Sequence, residues 1–464
     1  MSDSSEGKKL EAALTWKFPN IGKESPGQIE EARAFCEGYK EFLDQGKTER
    51  ECVQVTVAML EEAGYEPLDI TKTYQPGDKV YSVNRNKAVI MTTFGQESVA
   101  KGVRINGAHI DSPRLDLKPN PMYEKNEIAY FKTHYYGGIR KYQWGATPLA
   151  MHGVVIKKNG EAVNICIGEE AGDPVFCVTD LLPHLSARQN QRKLNEGLKG
   201  EELNIVIGSL PFTDDEVKEP VKLMALKLLN EKYGITEGDF MRAEIEMVPA
   251  HKAADVGLDR SMIGAYGQDD RVCAYTALIA ELEIKNPTFT TVTVLTDKEE
   301  IGSEGNTGLH SDYVKHYLEY LAEMQGVNPK QLLMNSICLS SDVNAAFDPT
   351  FPQVYEANNS CYLNKGCVLT KYTGARGKSG SNDASAELMA KVIGMMEAEG
   401  VYWQIGELGA VDEGGGGTIA KFVAGMNIDV VDLGVPILCM HSPFELASKL
   451  DIYNTYKAFL AFYK

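Results

Sequence analysis

No Cys-x-x-Cys pair occurs anywhere in the sequence, and its nine cysteines, at positions 36, 52, 166, 177, 273, 338, 361, 367 and 439, are odd in number and scattered. That pattern indicates neither a thiolate-rich metal site nor a disulfide framework, and the thiols read as free and buried. Also missing is any run of about 18 uninterrupted apolar residues, the length a membrane-spanning helix needs. The opening stretch, Met-Ser-Asp-Ser-Ser-Glu-Gly-Lys-Lys, has no apolar segment of the secretory kind, so a cytoplasmic location and no membrane partner are expected. Positive charge is scarce: 47 Lys and Arg against 65 Asp and Glu give a formal net charge of -18, which opposes non-specific binding of nucleic acid. Internal repeats and low-complexity tracts are absent, apart from the four glycines at 414–417.

What is present is a chain of 464 residues with 43% hydrophobic content, longer than one core usually serves, so two domains are expected. Residues 26–64 carry a helical pattern, with Phe35, Tyr39, Phe42 and Leu43 on one face and a capping box from Thr48 to Glu51 opening a second helix. Short β-like runs follow at 87–94 and 102–108. From about 112 to 252 the texture turns to Pro, Gly, Tyr and short apolar runs, which predicts a β-rich insertion. Beyond it, helical segments at 271–284, 311–323, 384–398 and 450–463 alternate with β segments at 290–295, 336–339 and 435–439. Such alternation predicts an α/β fold with a central mixed, largely parallel sheet flanked by helices. The expected division is a discontinuous domain of residues 1–112 and 257–464, interrupted by residues 113–256.

Functional side chains of open α/β sheets gather beyond the C-terminal ends of strands. His109 and Asp111 follow one inferred strand, Glu299 and Glu300 another, Asp342 a third and His441 a fourth. In His109-Ile110-Asp111 a carboxylate can hold one ring nitrogen while the other binds a metal. Asp269-Asp270 directly precedes a helix, where either residue can serve as an N-cap or turn inward as a bridging carboxylate. Glu299 and Glu300 end a β-branched strand and are followed by glycines at 302, 305 and 308, so one can bind metal while the other takes a proton from water. Taken singly, each fragment fits a turn, a cap or a core histidine. As a set they suit a hard, oxygen-rich site with one imidazole per metal, for zinc, manganese or cobalt.

In order and context these segments resemble the aspartyl aminopeptidase and vacuolar aminopeptidase I family of zinc metallopeptidases. The residues that carry the resemblance run from Gly107 to Asp116, through Gln268-Asp269-Asp270, Asp297 to Ser303 and Ser341-Asp342, to Met440-His441-Ser442. It implies two divalent ions per subunit, zinc above all, with Asp269 bridging, His109 and Asp342 on one ion and Glu300 and His441 on the other. Glu299 is then the general base for attack by a metal-bridging water, and Asp111 orients His109. The implied activity is removal of the N-terminal residue from peptides with a free N-terminus, acidic first residues being preferred in one branch. Lys371, Glu413, Gly414 and Gly415 match the family's substrate side. The insertion is implied to build dimers that assemble into a tetrahedral dodecamer. Two departures, Arg188 and Asp348 where the aspartyl branch carries histidines, alter the charge expected beside the pocket. Competing readings are deacetylation or carboxypeptidase cleavage at the same metals, or a non-enzymatic scaffold.

Overall fold

A computed structural model describes residues 5–464. The first four residues of the stretch expected to lack a leader lie outside the described residues. The helix pair forms as the sequence indicates, Gln28–Gln45 followed by Glu49–Glu62. At its joint the Glu51 amide donates to Thr48 Oγ1 (3.2 Å) and the Thr48 amide to Glu51 Oε2 (3.0 Å), closing the capping box.

Nine strands form the central sheet. Its middle is four parallel strands in the spatial order Thr291–Thr296, Arg104–His109, Ile337–Ser340, Asp429–Gly434. Antiparallel pairings flank them, to Ala88–Thr93 on one side and to Cys367–Thr370 on the other. Thr291–Thr296 and Ala88–Thr93 read as continuous apolar or β-branched runs because both faces are covered. Val89, Met91, Ala108 and Leu295 face one core with Tyr39, Phe42, Val272 and Leu278 of the helices. Ile90, Ile105, Val292 and Val294 face the other, packed on Tyr317, Leu318 and Leu321 of the helix Tyr313–Met324. The chain uses the Arg104–His109 strand first, then its neighbour on one side, then crosses to the other. The loops leaving these strands therefore diverge and open a crevice at the C-terminal ends.

Between residues 113 and 256 lie seven strands, from Arg114–Lys125 to Ala243–Pro249, in a sheet of their own. Six of them pair in a closed ring, because Ala243–Pro249 bonds to both Arg114–Lys125 and Pro148–Ile156. A separate core centred on Phe131, Trp144, Met151 and Phe240 fills it. The next strand, Ala254–Val256, pairs elsewhere, with Met262–Ala265.

One expectation is corrected. The segment at 435–439 does contain a strand, Pro436–Leu438, but it lies in a third, five-stranded sheet beside Glu445–Ser448 and Asn344–Ala345. The central sheet takes the preceding strand, Asp429–Gly434, instead. Val435 alone separates the two adjoining apolar runs, and periodicity cannot divide them.

Candidate metal centre and substrate cavity

His109 ends the buried strand Arg104–His109, and its ring is almost wholly excluded from solvent. Its Nδ1 lies 3.0 Å from the Asp111 carbonyl oxygen and 3.4 Å from Asp111 Oδ1. The main chain thus shares the task of orienting this imidazole with the Asp111 carboxylate. That carboxylate also accepts the amides of Glu299 (3.1 Å) and Glu300 (3.2 Å) and the hydroxyl of Tyr136 (2.8 Å). Asp111 therefore ties the first strand end to the Glu-Glu turn of the second.

Opposite His109 stands Asp269. The helical segment Gln268–Glu283 includes Asp269 and Asp270 in non-helical backbone, and the peptide bond between them is cis. Asp269 Oδ1 lies 3.1 Å from His109 Nε2, and its Oδ2 lies 3.1 Å from His441 Nε2. One carboxylate thus faces two imidazoles through different oxygens. Asp342 Oδ1 is 3.8 Å from His109 Nε2, Glu300 Oε2 is 3.5 Å from His441 Nε2, and Glu299 Oε2 is 4.0 Å from His109 Nε2. All five sequence-derived ligand candidates and Glu299 meet in one place.

The donor chemistry fits divalent cations. Glu300 Oε1 and both Asp270 oxygens are buried with no hydrogen-bond partner among the described residues. Such atoms are costly unless a ligand satisfies them. Two sets have their donor atoms mutually within 4.8 Å, His109 with Asp269 and Glu300, and His109 with Asp270 and Asp342. Two carboxylates, Asp269 and Asp270, thus reach the His109 side. Of these contacts, Asp269's are the ones that also extend to His441.

Crowded carboxylates repel one another's charge. Burial and the Asp342 charge push the Glu299 carboxyl up to about 8. Burial, then Asp269, raises Glu300 well above the usual range. Asp269 goes the other way, because contacts to His109 and His441 outweigh its burial. Cations bound here would relieve the repulsion and draw the raised values down.

Residues the sequence reading passed over hold this arrangement. The buried Glu445 accepts the His441 amide with Oε1 (2.7 Å) and the Asp269 amide with Oε2 (3.1 Å), clamping the backbone of both. Ser112 Oγ donates to the Asp269 carbonyl (2.7 Å). From the inserted sheet come Tyr136 and Gly138, whose carbonyl oxygen lies 2.9 Å from His441 Nδ1. His441 itself sits in left-handed backbone (φ 63°).

A cavity of about 480 Å³ opens over these groups, walled in part by Val343, Thr370, Leu408, Gly415, Thr418 and Lys421. Gly415 is thus in place. Gly414 lies in the adjoining cleft with Leu408 and Val411, and Glu413, Arg188 and Asp348 do not line the cavity. Neither does Lys371, whose ammonium is paired with Asp383, as is that of Lys378.

Residues 42–463 match the family model described as aminopeptidase I zinc metalloprotease (M18). A probable M18 family aminopeptidase 1 of Clostridium acetobutylicum is 50% identical over 443 residues, 94% of this chain and 95% of that one. The solved M18 aminopeptidase of Thermotoga maritima, 46% identical, superposes with a TM-score of 0.93 over 97% of this chain and all of its own. A solved S. cerevisiae mApe1 dodecamer, 21% identical over 94% of this chain and 97% of that one, shares the fold at a TM-score of 0.75. A family match across nearly the whole length, over a site of this donor chemistry, gives the conclusion that this chain belongs to the aminopeptidase I (M18) family of zinc metalloproteases and is an aminopeptidase.

Proposed function

We propose that this aminopeptidase works with two divalent cations and Glu299 as its general base, hydrolysing the bond after the first residue of peptides with a free N-terminus. One observation carries the reading: the two oxygens of Asp269 each lie 3.1 Å from a different imidazole. Asp269 would bridge, His109 and Asp342 would complete one cation site, and Glu300 and His441 the other. Bound there, zinc, or manganese or cobalt on the same donors, would polarise the scissile carbonyl and acidify a water. Glu299, 4.0 Å from His109 Nε2, takes the proton from that water and returns it to the leaving amine. Asp111 positions Glu299 by accepting its amide. Of the four substrate-side candidates Lys371, Glu413, Gly414 and Gly415, we keep Gly415 as part of the substrate wall.

The proposal extends to assembly. Residues 113–256 form a dimerisation domain inserted between residues 1–112 and 257–464, and dimers build a tetrahedral dodecamer in the cytoplasm. In support stand the separate core of the inserted sheet and the dodecameric yeast structure of the same fold. No helix among the described residues is long and apolar enough to cross a membrane.

Matched peptides with free and acetylated N-termini test the reaction. The zinc-loaded enzyme is expected to release the first residue from the free peptide and leave the blocked one intact. Release of acetate, or of the C-terminal residue, would replace this reading with a deacetylase or carboxypeptidase.

A further inference from the structure

We propose that Tyr136, Gly137 and Gly138, at the end of an inserted strand, are positioning residues for the reaction and that Arg114 holds them in place, which makes the insertion part of the catalytic apparatus. The inference rests on the two-cation reading above and deepens it.

Three consecutive residues meet three different groups of the site. The Tyr136 hydroxyl donates to Asp111 Oδ2 (2.8 Å), on the carboxylate that also accepts the amides of Glu299 and Glu300. Gly137 packs on Glu300 itself. Its backbone is left-handed (φ 74°), and a Cβ there would stand 3.3 Å from both Cβ and Oε2 of Glu300. The Gly138 carbonyl oxygen lies 2.9 Å from His441 Nδ1, where it accepts the ring N–H and leaves Nε2 to face Asp269 and Glu300. One strand end therefore touches the turn of the proposed base, the side chain of one proposed ligand and the ring of another. Assembly of subunits asks for none of these contacts.

Arg114 fixes that strand end. It opens the strand Arg114–Lys125 and is the register partner of Tyr136. Its guanidinium carbon lies 3.9 Å from the centroid of the Tyr136 ring. Nε lies 2.8 Å from Asp116 Oδ1 and 3.2 Å from Glu246 Oε2, and Nη1 lies 3.4 Å from Glu49 Oε2. Glu49 begins the helix Glu49–Glu62, outside the insertion, and both Glu49 and Glu246 are buried. The planar cation spans the joint between the insertion and the rest of the chain while one face stays on Tyr136. A lysine would keep the charge and lose both the fork and the stacking face.

The test uses the zinc-loaded full-length enzyme and Tyr136→Phe, Gly137→Ala, Arg114→Lys and the double variant of Tyr136→Phe with Arg114→Lys. Folding is verified by circular dichroism and oligomeric state by size-exclusion chromatography. On an aminoacyl 4-nitroanilide that the parent enzyme cleaves, kcat and KM are read, and zinc affinity is read by chelator competition. Tyr136→Phe keeps the ring and loses only the hydroxyl. It is expected to lower kcat about tenfold, the size of one hydrogen bond to a charged group, with KM changed less than about threefold. Its zinc affinity should also fall about tenfold, as for a group behind the ligands. Gly137→Ala, which presses on Glu300, should lower zinc affinity at least as far. Arg114→Lys should lower kcat in the parent enzyme and change it less than about twofold in the Tyr136→Phe background, because it acts through that hydroxyl. Should Arg114→Lys fail to fold, Tyr136→Phe and Gly137→Ala carry the decision. Tyr136→Phe with kcat and zinc affinity within about twofold of the parent, or losses that simply add in the double variant, would overturn the proposal. Full activity of the parent enzyme on a single zinc per chain would instead overturn the two-cation reading, and the ratios of variant to parent would still decide this one.

Discussion

Asp342 and Glu300, at the floor of the cavity, follow buried parallel strands, whereas Gly415 and Lys421, at its rim, sit on a loop and a six-residue helix outside the sheet. The floor is over-determined. Asp111 takes two amides and a hydroxyl, and Glu445 takes two amides more, so Glu300, Asp269 and His441 are each held by contacts besides their own segments. The rim is held by close backbone approach. A Cβ at Gly415 would meet the Gly374 carbonyl oxygen at 2.2 Å, so that loop packs as main chain against main chain. Chemistry that needs placement to a fraction of an ångström belongs on the floor, and the rim is where substrate choice can vary without disturbing it.

If the division holds, substitutions should separate along it. Glu299→Gln, at the floor, is expected to lower kcat about 10²–10⁴-fold while elemental analysis finds the metal content unchanged. Loss of metal along with activity would make Glu299 a ligand and not the base. Glu445→Gln touches no substrate, yet its amide must turn a donor toward the amide of either Asp269 or His441. Its metal affinity, measured by chelator competition, should fall about 10–100-fold, and an unchanged affinity in the folded variant would remove Glu445 from the floor. The smallest effect should come from Lys371→Met, which breaks a half-exposed ion pair with Asp383. Less than about fivefold in kcat/KM on any substrate is expected, since such pairs contribute little. A larger loss would make Lys371 a substrate contact.

Much of the floor was legible in the sequence. Glu299, Glu300 and Asp342 follow apolar or β-branched runs and His109 ends an alternating one, and the strand-end rule gathers them. His441 was placed beside them for a partly mistaken reason, since its strand Pro436–Leu438 belongs to the third sheet. The strand Asp429–Gly434, which fills that slot in the central sheet, merges with the next apolar run in sequence and is divided from it by tertiary pairing alone. Glu445 and Tyr136 were invisible for a different reason. A carboxylate that accepts backbone amides and a hydroxyl that reaches in from the inserted sheet have no local pattern.

The sequence by itself determined the α/β class, the β-rich insertion and the candidate ligands, because hydrophobic periodicity and residue chemistry are local properties. Tertiary structure decided which oxygens of Asp269 face which imidazole, that Asp270 also stands within reach of His109, and that Lys421 rather than Lys371 lines the cavity. Those are relations between segments separated by up to some three hundred residues, and only packing fixes their distances.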